Sequence, residues 1–579
     1  MIRPSDPRDD VRVTFDDSRV FSAPIGTPLS AILREAYPDE DDPVLAVISG
    51  GRLRELAEPV YTDLAIRPVR LSSSDGIRIY SRGLSLVLIV AAAQQFPDAA
   101  VRIEYSVPHG GLFCRTRGRQ FSREDLAALR ARMEDLIRAD LPIVRQRCTR
   151  DEAIARFRAK NEESKIRTLA ARPKDHFHFY ELDGVSDYFF GYMVASTGVL
   201  KTFGLEPFAD GFVLRLPRRE DPTRLRPARR FTALREVFDE HGEWVDLLGI
   251  RTVGSINDAI RSGRMEQIVL VAEALHEKRI AQIAHQIAHT GGDGIRLVLI
   301  AGPSASGKTT FSKRLAVQLL AEGLQPFPLA MDHYYLPRDL LEERQGSNLD
   351  FDALNALDVD RLRSDLQRLV AGERTQLPYF DFPTGKSHPG PTVLLGEKDV
   401  LLLEGIHGLN PALFPDGGND RAFRVFVSAL TQLNLDDHNR VSTTDTRLIR
   451  RIVRDTTYRG YTAEQTFELW DNVRAGEKRN IFPYQETADV MFNSALGYEL
   501  AVLKPRVEPF LHRAIRSNYR VEAERLLALL WWFDAYDGRT VPTNSILREF
   551  IGGSILRDYT PEPLGGLSAG EKDCEEADA

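Results

Sequence analysis

Across residues 11–71 apolar and polar side chains alternate, as in Val11-Arg12-Val13-Thr14-Phe15 and in Val44-Leu45-Ala46-Val47-Ile48 ahead of Gly50-Gly51. A period of two with glycine punctuation predicts a small mixed sheet, and helical spacing over 29–36 adds one helix. From about residue 83 to 217 the pattern becomes α+β: a helix over 85–96, a strand over 101–107, a long amphipathic helix over 123–139, and strands near 176–180 and 213–216. Residues 231–289 keep a helical period until Thr290-Gly291-Gly292-Asp293-Gly294 breaks it. After Gly294 apolar strands alternate with helices, the order of an α/β domain with a parallel sheet. A helical stretch containing 526–533 follows, and the acidic, Gly/Pro-containing tail has the composition of a disordered segment. These shifts divide the 579 residues into segments 1–72, 73–220, a helical connector 221–292, the α/β domain 293–505, a helical segment 506–560 and the tail 561–579.

Composition changes this picture in three places. The 76 Lys and Arg against 84 Asp and Glu, a net charge of −8, argue against a globally basic nucleic-acid binder. A local basic patch survives that argument, and the Arg-rich stretch 215–235 reads either as a solvated connector or as an anion- or RNA-binding patch. The three cysteines, Cys114, Cys148 and Cys574, are odd in number and lack C-x-x-C spacing, so reduced thiols in a cytoplasm are the expectation. Residues 1–17 are polar and acidic, unlike a signal peptide, and the apolar run 84–93 is too short to cross a bilayer, so no membrane partner is expected. His285 and His289 stand one helical turn apart, a spacing that suits a metal, but no third ligand is evident in the sequence and surface polarity explains the pair.

The strongest chemical signal is the apolar strand Ile295-Arg296-Leu297-Val298-Leu299-Ile300 followed by Gly302-Pro303-Ser304-Ala305-Ser306-Gly307-Lys308-Thr309, then a helix from Thr310 onward. This is G-x-x-x-x-G-K-[ST] in its strand–loop–helix context. Glycines let successive N–H groups and a helix N-terminus face one anion, so residues from Gly302 to Thr310 are expected to bind ATP or GTP. Lys308 would neutralise phosphate oxygens and the Thr309 hydroxyl would ligate Mg²⁺. Phosphoryl transfer also needs a base for the acceptor hydroxyl and an acid near the metal. Asp332 ends the apolar segment Pro328-Leu329-Ala330-Met331 and is the candidate base, with a turn or N-cap aspartate as the bland alternative. Glu404 ends the buried-strand run from Val400 and is the candidate metal-side acid. Arg447, Arg450, Arg451 and Arg454 on one helix, with Arg459 beside Gly460, read as a lid that closes on phosphates, or else as a solvated face.

In this order the motifs resemble the uridine kinase family, within the wider group that includes phosphoribulokinases, over about residues 294–503. The resemblance implies that Asp332, in Met331-Asp332-His333-Tyr334-Tyr335, is the base for a ribose 5′-hydroxyl. It implies that Asp352, in Leu349-Asp350-Phe351-Asp352, holds the ribose hydroxyls. Tyr335, Phe380 and Phe382 fall on its pyrimidine-side aromatics, with Phe351 beside Asp352, and Arg451, Arg454 and Arg459 fall on its catalytic lid arginines. The departures are specific: Phe380 replaces a tyrosine, Gly385 stands where a histidine reads the pyrimidine edge, Tyr461 replaces a fourth lid arginine, and a polar insertion occupies about 431–442. A site stripped of base-reading partners loses discrimination, which leaves the nucleoside open, a purine nucleoside included.

The front half also has a family look. Residues 11–71 resemble a TGS domain, a β-grasp fold, and 83–217 resemble the second additional domain of threonyl-tRNA synthetase, through Phe121-Ser122-Arg123-Glu124-Asp125-Leu126, Leu141-Pro142-Ile143-Val144 and Ser196-Thr197-Gly198. In the synthetase that domain edits mischarged tRNA with an H-x-x-x-H pair, a Cys and a further His. Here those positions are Tyr80, Leu84, Phe189 and Met193, so editing hydrolysis is not expected. The sequence therefore leads to an ATP-dependent nucleoside kinase fused to a non-editing front half, with self-association an expectation by resemblance. A nucleotide-dependent regulatory or RNA-binding protein and a phosphoribulokinase-like sugar kinase are the competing readings.

Overall fold

A computed structural model describes residues 8–38, 41–108, 110–170, 175–227, 231–290, 295–345, 350–413 and 422–562. The Gly291–Gly294 part of the predicted break, Leu349, Cys574 and the predicted disordered tail beyond residue 562 lie outside the described residues. At the front, the strands run in the order Val20–Pro24, Asp10–Phe15, Leu64–Arg70, Val44–Ser49 and Arg52–Glu55. The helix Leu29–Ala36 turns Leu29, Ile32, Leu33 and Ala36 onto this mixed sheet, as the alternation required.

The next unit is organised by one long helix, Ser74–Gln95, which begins well before the predicted Ser85. Ser73 caps it, its hydroxyl accepting from the Gly76 N–H at 3.0 Å. Asp75, Arg78, Ser81 and Arg82 make the first turns polar, and that concealed the start. Gly76 is required there, because a Cβ would sit 1.9 Å from the Arg70 carbonyl oxygen. The complete helix is long and apolar enough to cross a membrane, unlike the short run judged from sequence; 67% of its apolar window is buried inside this unit. It packs with the capped helix Arg123–Arg138 and with the four-stranded sheet Gly204–Phe208, Gly211–Arg215, Gly111–Arg117 and Ala100–Val107.

The connector comprises three helices, Thr232–Leu248, Val253–Arg261 and Met265–His289. The α/β half is a five-stranded, all-parallel sheet in the order Gln325–Ala330, Asp399–Glu404, Leu297–Ala301, Ala422–Ser428, Val490–Asn493. Every residue of the central strand Leu297–Ala301 is buried, as expected for a strand covered on both faces. Helix Glu499–Ala514 runs unbroken across the predicted 505/506 boundary, and the chain returns through Arg520–Leu530 to a short helix Arg548–Ile551 against the start of Lys308–Ala321.

The polar insertion near 431–442 is the seam between the halves. The Asn434 side chain donates to the carbonyls of Ile103 and Glu104 at 3.1 and 3.0 Å, and its own carbonyl accepts from Val253 at 2.9 Å. Asn439 accepts from the Phe190 N–H at 2.7 Å and donates to the Tyr188 carbonyl at 3.1 Å. Asp187, 2% exposed, accepts from both Lys165 and His438. These bonds offset the cost of burying such groups, although the Asn434 Oδ1 has no hydrogen-bond partner among the described residues.

Candidate active site

The central strand ends at Ala301, and the chain curls through Gly302–Gly307 into the helix Lys308–Ala321. A Cβ on Gly302 would lie 2.0 Å from the Val427 carbonyl oxygen, while Ala305 and Gly307 take left-handed φ values of 57° and 84°. For Ala305 that conformation is strained, and neighbours hold it: Arg450 donates to its carbonyl at 3.4 Å and the Ser494 hydroxyl donates to the next one, on Ser306. The result is a concave run of N–H groups at a helix N-terminus, suited to phosphate oxygens.

Around this loop stand the ionisable groups. Thr309 Oγ1 lies 3.2 Å from each Glu404 carboxylate oxygen, so strand Asp399–Glu404 delivers its acid to the loop hydroxyl. Burial, reinforced by Asp332 and Glu549 and opposed by Lys308, pushes Glu404 up to about 7. Lys308 is lowered by the same desolvation, with Glu404, Glu549 and Asp332 opposing. Asp332 sits two residues past strand Gln325–Ala330, on the first turn of Met331–Tyr334, and opens to solvent in the cleft. Desolvation raises its pKa against the pull of Lys308, Arg459 and His333. Asp352 is pushed up to about 6 by desolvation, with Arg451 opposing.

Tyr335 lies between these carboxylates and an aromatic group. Its ring centroid is 5.7 Å from Phe380, 6.1 Å from Phe351 and 6.1 Å from Phe382. Phe380 is buried, whereas Phe351 and Phe382 face the cleft at 42% and 53% exposure. All four predicted aromatics therefore form one shelf, on which Phe380 offers no hydroxyl. Gly385, at φ 68°, packs against Arg338.

The predicted lid splits in two. Arg451 donates to Ser304 Oγ at 2.9 Å and to Asp455 at 3.1 Å, Arg454 donates to Asp455 at 2.9 Å, and Arg459 stands 3.8 Å from the same carboxylate. Asp455 thus gathers three cations beside the loop. Arg447 and Arg450, 1% and 0% exposed, are not lid residues. Arg447 pairs with Glu477 and donates to the Ser304 carbonyl at 2.9 Å, and Arg450 pairs with Glu499 at 2.5 Å. They brace the loop from behind.

Several participants escaped the sequence reading. Glu477 accepts from the Ser304 N–H at 3.1 Å and Glu549 from the Thr310 hydroxyl at 2.9 Å, both from far along the chain and without a local signal. His407, three residues beyond Glu404, is buried near Asp350 and Asp352, and burial lowers it to about 4; its place at the same strand end was a legible cue. Away from the cleft, Glu322 supplies the third group missing beside the histidine pair, with His285 Nδ1 3.3 Å and His289 Nδ1 3.9 Å from it. This cluster is exposed on the outer surface. Arg215, predicted in a solvated or RNA-facing stretch, is 5% exposed and paired with Glu206 at 2.6 Å.

A parallel sheet with a phosphate loop, a strand-end acid facing that loop and arginines from a following helix define a P-loop kinase architecture in the C-terminal half. In agreement, residues 297–498 match the sequence model of the Phosphoribulokinase / Uridine kinase family. The front half is similar to threonine–tRNA ligases: 31% identity over 163 residues with that of Marinobacter nauticus, covering 28% of this chain and 25% of the ligase, and 35% over 140 residues with that of Methylobacillus flagellatus, covering 24% and 22%. The chain thus spans about a quarter of the length of these relatives. Among solved structures, a putative fructose transport system kinase from Silicibacter sp. aligns at 22% identity and TM-score 0.29, over 37% of this chain and 98% of that one. A possible uridine kinase from Bacillus stearothermophilus aligns at 21% identity and TM-score 0.27, with the same coverage.

Proposed function

We propose that this protein is an ATP-dependent nucleoside kinase that transfers the γ-phosphoryl to the 5′-hydroxyl of a ribonucleoside, uridine- or cytidine-like but with altered reading of the base. The observation that carries the proposal is the pairing of two acceptor-side carboxylates, Asp332 and Asp352, with the shelf of Tyr335, Phe351, Phe380 and Phe382 across from Lys308. A ribose needs hydroxyl acceptors and a base needs a flat apolar face; this cleft supplies both.

In the proposed reaction the ribose hydroxyl oxygen attacks the γ-phosphorus, the bond to the bridging oxygen breaks, ADP leaves, and Asp332 takes the hydroxyl proton. Desolvation raises the pKa of Asp332, which makes its carboxylate a better base. Lys308, Arg451, Arg454 and Arg459 follow the charge on the moving phosphoryl oxygens. Thr309 and Glu404 offer hard oxygen donors and would hold Mg²⁺, which when bound neutralises phosphate charge. With Phe380 and Gly385 in place of hydrogen-bonding side chains, stacking dominates recognition of the base, and every base has a π-face.

The test is ADP release by the full chain over uridine, cytidine, adenosine, guanosine and inosine, with ribulose 5-phosphate as the sugar-kinase arm. Turnover with at least one nucleoside supports the reading. Turnover with the sugar phosphate alone, or with no acceptor at all, overturns it.

A further inference from the structure

A cavity of about 570 Å³ lies where the front half, the connector and the C-terminal half meet. It is walled by helix Ser74–Gln95, by the loop after the seam and by the arginine-bearing helices beyond it, and its volume falls within the range of small-molecule sites. Among the described lining residues ten are Lys or Arg and two, Glu220 and Asp445, are acidic. Seven of these cations are paired with carboxylates. The remaining three, Arg82, Arg226 and Arg440, have no ion pair among the described residues. Arg82 donates to the Tyr192 carbonyl at 2.7 Å, Arg440 reaches only Ser106 Oγ at 3.4 Å, and desolvation lowers each to about 10.

Guanidinium groups without an ion pair that line one cavity favour a polyanion as its ligand. The same lining carries aromatic rings, Phe189, Phe190, Phe238 and Phe482, with Arg474 over the Phe482 ring at 5.6 Å. Cations for phosphates and flat rings for a base in one cavity fit a nucleotide. We infer that this cavity is a second nucleotide site, separate from the phosphate loop, that takes a nucleoside triphosphate. A cavity of about 570 Å³ has the size for a single nucleotide, and a polymeric RNA is the outcome that the test separates from it.

The site is wired to the loop. Arg447 and Arg474 line the cavity and both pair with Glu477, the carboxylate that accepts from the Ser304 N–H. A triphosphate contacting those arginines redistributes their bonds to Glu477, so occupancy of the cavity and affinity at the loop are linked reciprocally.

Equilibrium dialysis of the full chain against radiolabelled ATP, GTP, CTP and UTP tests this without requiring turnover. At least one of them should saturate two sites per chain. Lys308→Ala should leave the second site, and Arg82→Gln with Arg440→Gln should weaken that site by about tenfold or more while keeping the loop site, which reports an intact fold. Arg226→Gln, at an exposed position, should weaken the second site without any risk to folding, and Arg440→Lys should restore part of what Arg440→Gln loses. A single site for all four triphosphates, or a second site indifferent to Arg82, Arg226 and Arg440, overturns the inference. So does binding of tRNA through these arginines with no triphosphate bound.

Discussion

In the C-terminal cleft Lys308, Asp332, Asp352, Glu404, Arg451 and Arg459 face one another around an open space. At the front-half positions that the resemblance to the synthetase domain assigns to its editing groups, Tyr80, Leu84, Phe189 and Met193 are 1%, 0%, 3% and 1% exposed and belong to one apolar core. The Tyr80 hydroxyl is satisfied locally, donating to the Thr202 carbonyl at 3.1 Å and accepting from its N–H at 2.8 Å. The first site keeps charges in costly surroundings, as the upward pKa shifts of Glu404 and Asp352 record. The second is packed apolar core. Within one chain, then, electrostatic strain is concentrated in the cleft with the phosphate loop and is missing from this apolar core.

The largest test of this contrast is Asp332→Asn. Turnover should fall about 10²–10⁴-fold while ATP binding persists, read by ADP release and nucleotide titration in parallel; undiminished turnover would remove Asp332 from its role. Next is Arg450→Ala, which strands Glu499 (2% exposed) and should lower unfolding free energy by about 3–5 kcal/mol in urea titrations. A surface lid arginine, the sequence-level expectation, would cost far less. Leu84→His returns an imidazole to the front core and should destabilise by about 1–3 kcal/mol without creating esterase activity on aminoacyl-tRNA, because the core offers it no partner.

The smallest effect is in pH. A carboxyl raised from 4.5 to about 7 holds its proton in the folded state when the unfolded chain has released it. Its contribution to stability is complete below pH 4.5 and is lost as pH rises through about 7. Melting curves of nucleotide-free protein should therefore fall across that window, and Glu404→Gln should flatten the fall. An unchanged slope in the variant would mean that Glu404 ionises as freely as in water.

The phosphate loop was legible because its requirements are local: glycines where the backbone doubles back, then a lysine and a threonine opening a helix. The parallel sheet was legible because its strands are apolar throughout. The lid was not fully legible, and helix geometry explains it. Arg447, Arg450, Arg451 and Arg454 lie within an arc of roughly 100° around the axis, so periodicity assigns them to one face. Only Glu477 and Glu499, supplied by later helices, pull two of them into the interior. The start of helix Ser74–Gln95 was hidden by polar residues whose partners are also distant: Arg78 pairs with Glu522 at 3.1 Å. Glu322 was missed beside the histidine pair because it lies on the next helix's end, beyond the reach of i,i+4 counting.

The seam at 431–442 also bears on how this architecture could be taken apart. Its asparagine side chains donate to the carbonyls of Ile103, Glu104 and Tyr188, Asn439 accepts from the Phe190 N–H, and the His438 ring lies 6.4 Å from Phe189, stacked against it. A gene cut between the halves would leave those amides and carbonyls facing water on one fragment and a bared aromatic on the other. Each fragment would inherit half of a lock. The fusion behaves as a ratchet: the loop's residues fit the neighbouring half, so separating the two carries a folding penalty.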